Sequence, residues 1–245
     1  MLRRIPPLRL LMVLGGIFAV VVVFSGIGAH YPHDWLLENA LVAVFVPALA
    51  FTYRWFPFSR LSYLLMFAFL CLHETGAHWT YAEVPYNEWT RAWFGRSLNE
   101  VLGWERNHFD RVVHFLYGLL LAYPIREVFL RVGQVRGFWG YFLPLDLTMS
   151  TSMIFELIEW GAAEVFGGDL GEAYLGTQGD VWDAHKDMAL ASLGALIAML
   201  VTAGINARYK RDFAREFIDS LKVKSTRPLG EEEFARLKHD HDRSR

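Results

Sequence analysis

Six stretches of this chain each come close to the roughly 20 mostly apolar residues that a helix needs to cross a bilayer. They run over about Leu8–Ala29, Trp35–Tyr53, Leu61–His78, Val112–Leu130, Phe138–Trp160 and Met188–Ile205. Inside hydrocarbon every backbone N–H and C=O must find its partner within the protein, which leaves helices and closed barrels. Runs of this length and apolarity are helical, so the chain reads as an all-α, polytopic transmembrane bundle. Composition agrees, with 53% hydrophobic and only 20% charged residues. The first stretch follows Arg3 and Arg4 as a signal peptide would. Its apolar run exceeds the usual 7–15 residues, about the limit for such a peptide, and no small-residue cleavage site follows, so it is expected to stay as a span. Residues 1–208 form one membrane domain. Residues 209–245 read as an amphipathic segment along the inner surface, charged and flexible beyond Ser225.

Lysine and arginine set the orientation. The N-terminus has Arg3, Arg4 and Arg9, the 2–3 loop Arg54 and Arg60, and the 4–5 loop Arg126, Arg131 and Arg136. The tail adds Arg208, Lys210, Arg211 and Arg215, whereas "HYPHDW" in the 1–2 loop has no lysine or arginine. The 5–6 loop offers only Lys186 among Glu164, Asp169, Glu172, Asp180, Asp183 and Asp187. Both termini are therefore expected in the cytoplasm. The 3–4 loop departs from the rule with Arg91, Arg96, Arg106 and Arg111, diluted by acids. Its Trp89, Trp93, Phe94 and Trp104 predict short helices lying in the interface.

With that topology, ionisable residues of four segments gather at one depth on the outer face. "CLHETGAHW" ends the third segment with His73, Glu74 and His78. "NHFDRVVHF" opens the fourth with Asp110 and His114, and "FELIEW" ends the fifth with Glu156 and Glu159. "GDVWDAHKDM" enters the sixth with Asp180, Asp183, His185 and Asp187. Glu74/His78, Asp110/His114 and Asp183/Asp187 are i,i+4 pairs, each sharing a helix face. Carboxylates and histidines on facing helices are the materials of an internal metal site. So many acids near lipid need a cation, arginines or protons. Mixed His/carboxylate donors suit Zn²⁺, Mn²⁺ or Fe²⁺, and an oxygen-only subset suits Mg²⁺ or Ca²⁺. His73, Glu74, His78, Asp110 and His114 form the expected ligand pool, and Glu156 or Asp183 the expected base. Arg106 or Arg111 could hold a phosphate. Simpler roles stay open for single residues. Asp110, Asp183 and Asp187 could serve the positive ends of their helices. Glu159 and His185 could face water, and His114 could be a packing histidine. HETGAH is not the zinc-protease HExxH. "HDHD" near the C-terminus reads as a solvated end, and Asp146 as a partner for Arg126 or a neighbour of a kink at Pro144.

"HETGAHWTYAEVP", "RNHFDRVVHFLYGLLLAYPIREV", "FELIEW" and "GTQGDVWDAHKDMALASLGA" resemble the YjdF-like family of bacterial inner-membrane proteins, over roughly residues 10–205. The resemblance implies a bacterial inner-membrane location and no particular activity. More loosely, "FDRVVHFLYGLLL" with the later acidic helix ends is similar to VanZ-like proteins, associated with glycopeptide resistance. Asp110, His114, Glu156, Asp183 and Gly194 would be the matching positions. His73, Glu74 and His78 are extra to that pattern, and Asp187 stands where an amide is expected.

The single cysteine, Cys71, excludes an intrachain disulfide and a thiolate cluster. No Gly-rich phosphate loop, zinc-ribbon spacing or basic-aromatic surface is present, so nucleic acid is not an expected partner. Three functions remain. The leading one is a metal-dependent membrane enzyme whose site meets a lipid or lipid-linked envelope substrate at headgroup depth. The others are a metal-ion or proton transporter, and a structural protein whose polar cluster locks helix ends.

Overall fold

The computed structural model describes residues 7–166, 177–224 and 229–243. Among these residues the fold is entirely helical. The long helices are α1 (Pro7–Gly26), α2 (Pro32–Thr52) and α3 (Arg60–Trp79). Two short ones, α4 (Tyr86–Phe94) and α5 (Leu98–Leu102), precede α6 (Phe109–Arg131) and α7 (Trp139–Phe166). The last are α8 (Asp183–Tyr209), α9 (Phe213–Ser220) and α10 (Leu229–Arg243). Arg3, Arg4, Asp169 and Glu172, which entered the charge argument, lie outside the described residues.

Among the described residues, four helices are long and apolar enough to cross a membrane: Leu8–Gly26, Pro32–Thr52, Phe109–Arg131 and Asp183–Tyr209. The other two expected spans form helices of 20 residues (α3) and 28 residues (α7). Both are more polar. His73, Glu74 and His78 fill the last turns of α3, and α7 carries Asp146, Glu156 and Glu159. Val20, Val44, Leu157 and Leu200 point outward, as side chains do when lipid rather than water is the solvent.

The most extensive packing joins α6 to α8. Small residues make it possible, because van der Waals contact between backbones replaces the hydrophobic drive that lipid does not supply. A Cβ on Gly118 would fall 1.9 Å from the Ala191 carbonyl oxygen, and one on Gly194 would fall 2.1 Å from that of Phe115. Ala122, Ala191 and Ala195 are fully buried along the same seam. The helix α7 covers both, while α3 packs on α6 from the other side and carries α1 and α2. At the far end of α3, Glu127 of α6 caps the helix start, accepting from Ser59 N–H at 2.9 Å and Ser62 Oγ at 2.6 Å.

The segment between α3 and α6 is folded. Ser97 and Glu100 close a capping box at the start of α5. Val84 and Tyr86 pack on Phe109 and Val113. Trp93 and Phe94 stay exposed, whereas Trp104, expected at the interface with them, turns inward onto the His108 ring at 4.5 Å. Beyond α8 the chain breaks at Lys210 before α9. Further along the tail the chain is helical again as α10. Its composition favours helix, and Arg236 pairs with Glu233 at 2.6 Å. Exposed His239 sits 3.9 Å from Asp240 in that helix.

Candidate functional site

The seam fixes the site. His114 lies one turn before Gly118 on α6, and Asp187 lies one turn before Ala191 on α8. Close approach of the two backbones therefore brings their side chains together. Ligand atoms of Asp110, His114 and Asp187 all lie within 4.8 Å of one another. His114 Nε2 is 3.6 Å from Asp110 Oδ1 and 3.5 Å from Glu156 Oε1 of α7. Asp187 is 2% exposed, and its Oδ1 has no hydrogen-bond partner; neither does Glu156 Oε1. Orphaned buried acceptors around an imidazole are what a cation site requires.

The two arginines expected to hold a phosphate are committed elsewhere. Arg106 donates to Asp183 Oδ1 at 2.7 Å and to the Thr177 carbonyl at 2.7 Å. Arg111 donates to Asp180 Oδ2 at 2.5 Å and Asp183 Oδ1 at 3.2 Å. Lys186 also donates to Asp180, at 2.6 Å. Lys186 and the Trp182 N–H hold the Asp180 carboxyl well below the usual aspartate range, with Arg111 adding to them. Buried Asp183, expected as a base, is instead engaged in ion pairs with two guanidinium groups. Neither helix start uses a side-chain cap, so Asp110 and Asp183 do not serve as N-caps. His185 is exposed and lies against the Trp182 ring, away from the cluster.

The histidine-rich end of α3 divides between two neighbours. Glu74, fully buried, hydrogen-bonds Ser25 of α1, whose hydroxyl also accepts from Trp35 Nε1 at 3.0 Å. His78 Nδ1 donates to the Ser25 carbonyl at 2.7 Å. These two share a face by their spacing, and that face meets α1 rather than the metal-like trio. His73, one residue earlier, turns to the other side and meets the Tyr81 hydroxyl at 2.5 Å. Gly76 makes this possible: a Cβ there would lie 2.6 Å from the Tyr81 ring. Thr80 and Tyr81 take left-handed backbone angles (φ 53° and 46°), folding the chain back over the helix end. Burial, with Glu38, Asp110 and Glu159 nearby, raises the Tyr81 phenol well above its ordinary value. A protonated phenol that donates to Nδ1 leaves Nε2 carrying the ring hydrogen, and Nε2 has no partner.

A cavity of about 630 Å³ runs between α2, α3, α6 and α7. One end is polar, with Asp34, Glu38, His73, Asp110, His114 and Glu159 in its wall. The remainder is apolar, reaching Phe58 and Pro124. Leu41 and Val44 of α2 and Ile154 and Ile158 of α7 line it and are also exposed. The cavity therefore opens sideways, where lipid would lie. Asp34 and Glu38 escaped sequence reading because "PHDWLLEN" reads as a helix start with solvated acids. Asp34 is 2% exposed with both carboxylate oxygens unpaired. The clue was their spacing, i,i+4 on the face of an apolar helix. Asp146 is exposed on α7, and Arg126 stacks on the Tyr141 ring instead of pairing with it.

Fold and site together define an integral membrane helix bundle with a buried carboxylate–histidine cluster at one end. Residues 10–208 match the family described as "Predicted membrane protein (DUF2238)". The chain belongs to that family and is a multi-pass membrane protein. It is 36% identical over 195 residues to the inner membrane protein YjdF of Escherichia coli strain K12, covering 79% of this chain and 89% of the relative. This relationship places it in the inner membrane. No solved structure matches it. Neither match adds support to the looser likeness to VanZ-like proteins.

Proposed function

We propose that this protein is a six-span enzyme of the inner membrane, with both termini cytoplasmic. Its acid–histidine cluster faces outward and acts on a lipid or lipid-linked envelope substrate. The cavity carries this reading. A polar pocket of catalytic residue types continues into an apolar trough that borders lipid, the shape an amphipathic substrate needs. Asp110, His114 and Asp187 would hold a divalent ion. Their mixed nitrogen and oxygen donors suit zinc, manganese or iron better than magnesium or calcium. An ion held there supplies positive charge for a phosphate or ester oxygen and lowers the pKa of bound water.

The chain's own groups divide the remaining work. Glu159 lines the cavity and is placed to take a proton from the attacking water or hydroxyl at its carboxylate. Glu156, 3.5 Å from the same His114 Nε2 that faces Asp110, would be a further carboxylate donor to the ion. His73 Nε2, its hydrogen fixed by the Tyr81 contact on Nδ1, is a donor for a substrate oxygen. The result is hydrolysis or group transfer at a headgroup phosphate or ester.

Metal analysis of the purified protein tests the reading. The wild type should carry one zinc, manganese or iron per chain, and His114→Ala and Asp187→Asn should carry little. A wild type purified without chelators that holds no stoichiometric metal would sink it. The orientation fails if a tag inserted at Gly179 reports from the cytoplasm.

A further inference from the structure

About 24 Å along α6 from Asp110, at about 1.5 Å of rise per residue, the opposite end of the bundle has a cavity of its own. It measures about 260 Å³, and Arg126, Arg136, Tyr141, Lys210 and Glu216 are among its walls. Its fourth side is α9, which is latched in place. Phe138 N–H donates to Ser220 Oγ at 2.9 Å, and Trp139 Nε1 to the Ser220 carbonyl at 3.0 Å. Phe217 meets Phe138 edge-on at 5.7 Å. Gly137, at φ +60°, allows the approach: a Cβ would lie 2.4 Å from Ser220 Oγ.

At the base of this pocket Arg126 is only 8% exposed. Its guanidinium lies 4.6 Å from the Tyr141 ring centroid. Among the described residues no carboxylate forms an ion pair with it, and its Nε has no hydrogen-bond partner. The adjacent Glu127 is occupied by Ser59, Ser62 and Arg131. A buried cation without a counter-charge is strongly unfavourable. A guanidinium stacked on a ring keeps its edge donors in a fixed fork that matches phosphate oxygens. Arg136 and Lys210 at the exposed rim add positive charge against the single Glu216. Basic pockets between membrane helices are known receptors for acidic headgroups.

We infer that this pocket binds a phosphate-bearing anion, seated on Arg126 and flanked by Arg136 and Lys210. The anion is either an acidic phospholipid headgroup or a soluble phosphate, and it pins α9 to the bundle.

Melting temperatures of the full chain in detergent micelles test this, measured against added phosphatidylglycerol, phosphatidylcholine or inorganic phosphate. Phosphatidylglycerol or phosphate should raise the wild-type melting temperature, and phosphatidylcholine should not. Arg126→Gln should weaken the effective ligand about tenfold, the loss of one charge-assisted contact. Arg136→Gln combined with Lys210→Gln, at exposed positions safe for folding, should weaken it roughly threefold. A response to phosphatidylglycerol alone assigns a lipid headgroup, and an equal response to phosphate assigns a soluble ligand. A wild type that responds to neither probe, or equally to phosphatidylcholine, overturns the inference. So does a rim variant that responds as the wild type does.

Discussion

Along α6 and α8 the backbones touch at Gly118 and Gly194, while α2 packs chiefly on α3 and lends its inner face to a cavity wall. Both regions carry buried acids, and they treat them differently. On the α6–α8 side Asp183 is neutralised by Arg106 and Arg111, and Asp110 and Asp187 share a histidine. On the α2 side neither carboxylate oxygen of Asp34 has a hydrogen bond, and the adjacent His33 is the charge partner nearest to it in sequence. The seam admits no added bulk, because a side chain at either glycine would run into the facing backbone. The flank leaves the cavity open to the side, past exposed Leu41, Val44, Ile154 and Ile158. Precision sits where glycine brings the helices together, and access sits where packing is thin.

The largest effect should come from breaking the seam. Gly118→Val would place a side chain inside the Ala191 carbonyl, forcing α6 and α8 apart. Overpacking of this kind costs about 3 kcal/mol or more when backbone must move. Thermal unfolding in detergent should show the loss, and metal content should fall with it. Gly15→Ala on α1, where a Cβ meets nothing within 4 Å, should change neither. If Gly118→Val melts like the wild type, close approach does not hold the bundle together.

Next in size is the cluster itself. Asp187→Asn keeps the shape and removes one anionic donor from the trio. Losing a direct ligand should weaken metal binding by more than the roughly 10–100-fold typical of outer-shell changes. A chelator should then lower the melting temperature of the wild type and leave Asp187→Asn unmoved. Equal chelator sensitivity in both would remove Asp187 from the site.

Much of the fold was legible because length and apolarity decide it. All six expected segments became helices, with ends shifted by several residues at α7 and α8. At α8 polar residues extend the helix beyond its apolar run, Asp183 and Asp187 at its start and Asn206 and Arg208 at its end. The gathering of Asp110, His114, Glu156 and Asp187 at one end was readable from spacing and loop charge. Facing direction was not. Adjacent residues on a helix differ by about 100°, so His73 and Glu74 in one motif serve different neighbours. A sequence cannot say which neighbour lies on which side. It also hid Arg106 and Arg111 as partners of Asp180 and Asp183, since those contacts join residues some seventy positions apart. Gly76 gained meaning only once Tyr81 was seen folded over it.

A smaller effect separates the flank from the seam. Asp34→Asn exchanges a buried, unpaired carboxylate for a neutral group of the same shape. An unpaired charge costs more to bury than an amide. The variant should therefore be more stable by about 1 kcal/mol, with metal content unchanged. Calorimetric or circular-dichroism melts decide it. A clear loss of stability would mean that the Asp34 anion is wanted in the folded protein, as it would be if a cation bound in the cavity between it and Glu38.

The smallest effect should come from Asp180, at the rim of the ion-pair group. Lys186 chiefly depresses its carboxyl, assisted by the Trp182 N–H and Arg111. A depressed acid stabilises the fold above its unfolded value, near 3.8. That contribution is lost as the pH falls through the lower folded value. Melting temperatures should therefore be flat in this respect from neutral pH down to about 4 and decline below it. Asp180→Asn should flatten the decline slightly and cost little at neutral pH, because Lys186 remains solvated and screened. If Asp180→Asn instead destabilises the protein as much as Asp183→Asn does at neutral pH, the rim and the buried ion pairs form one unit. The 177–182 segment would then belong to the seam rather than to its solvent edge.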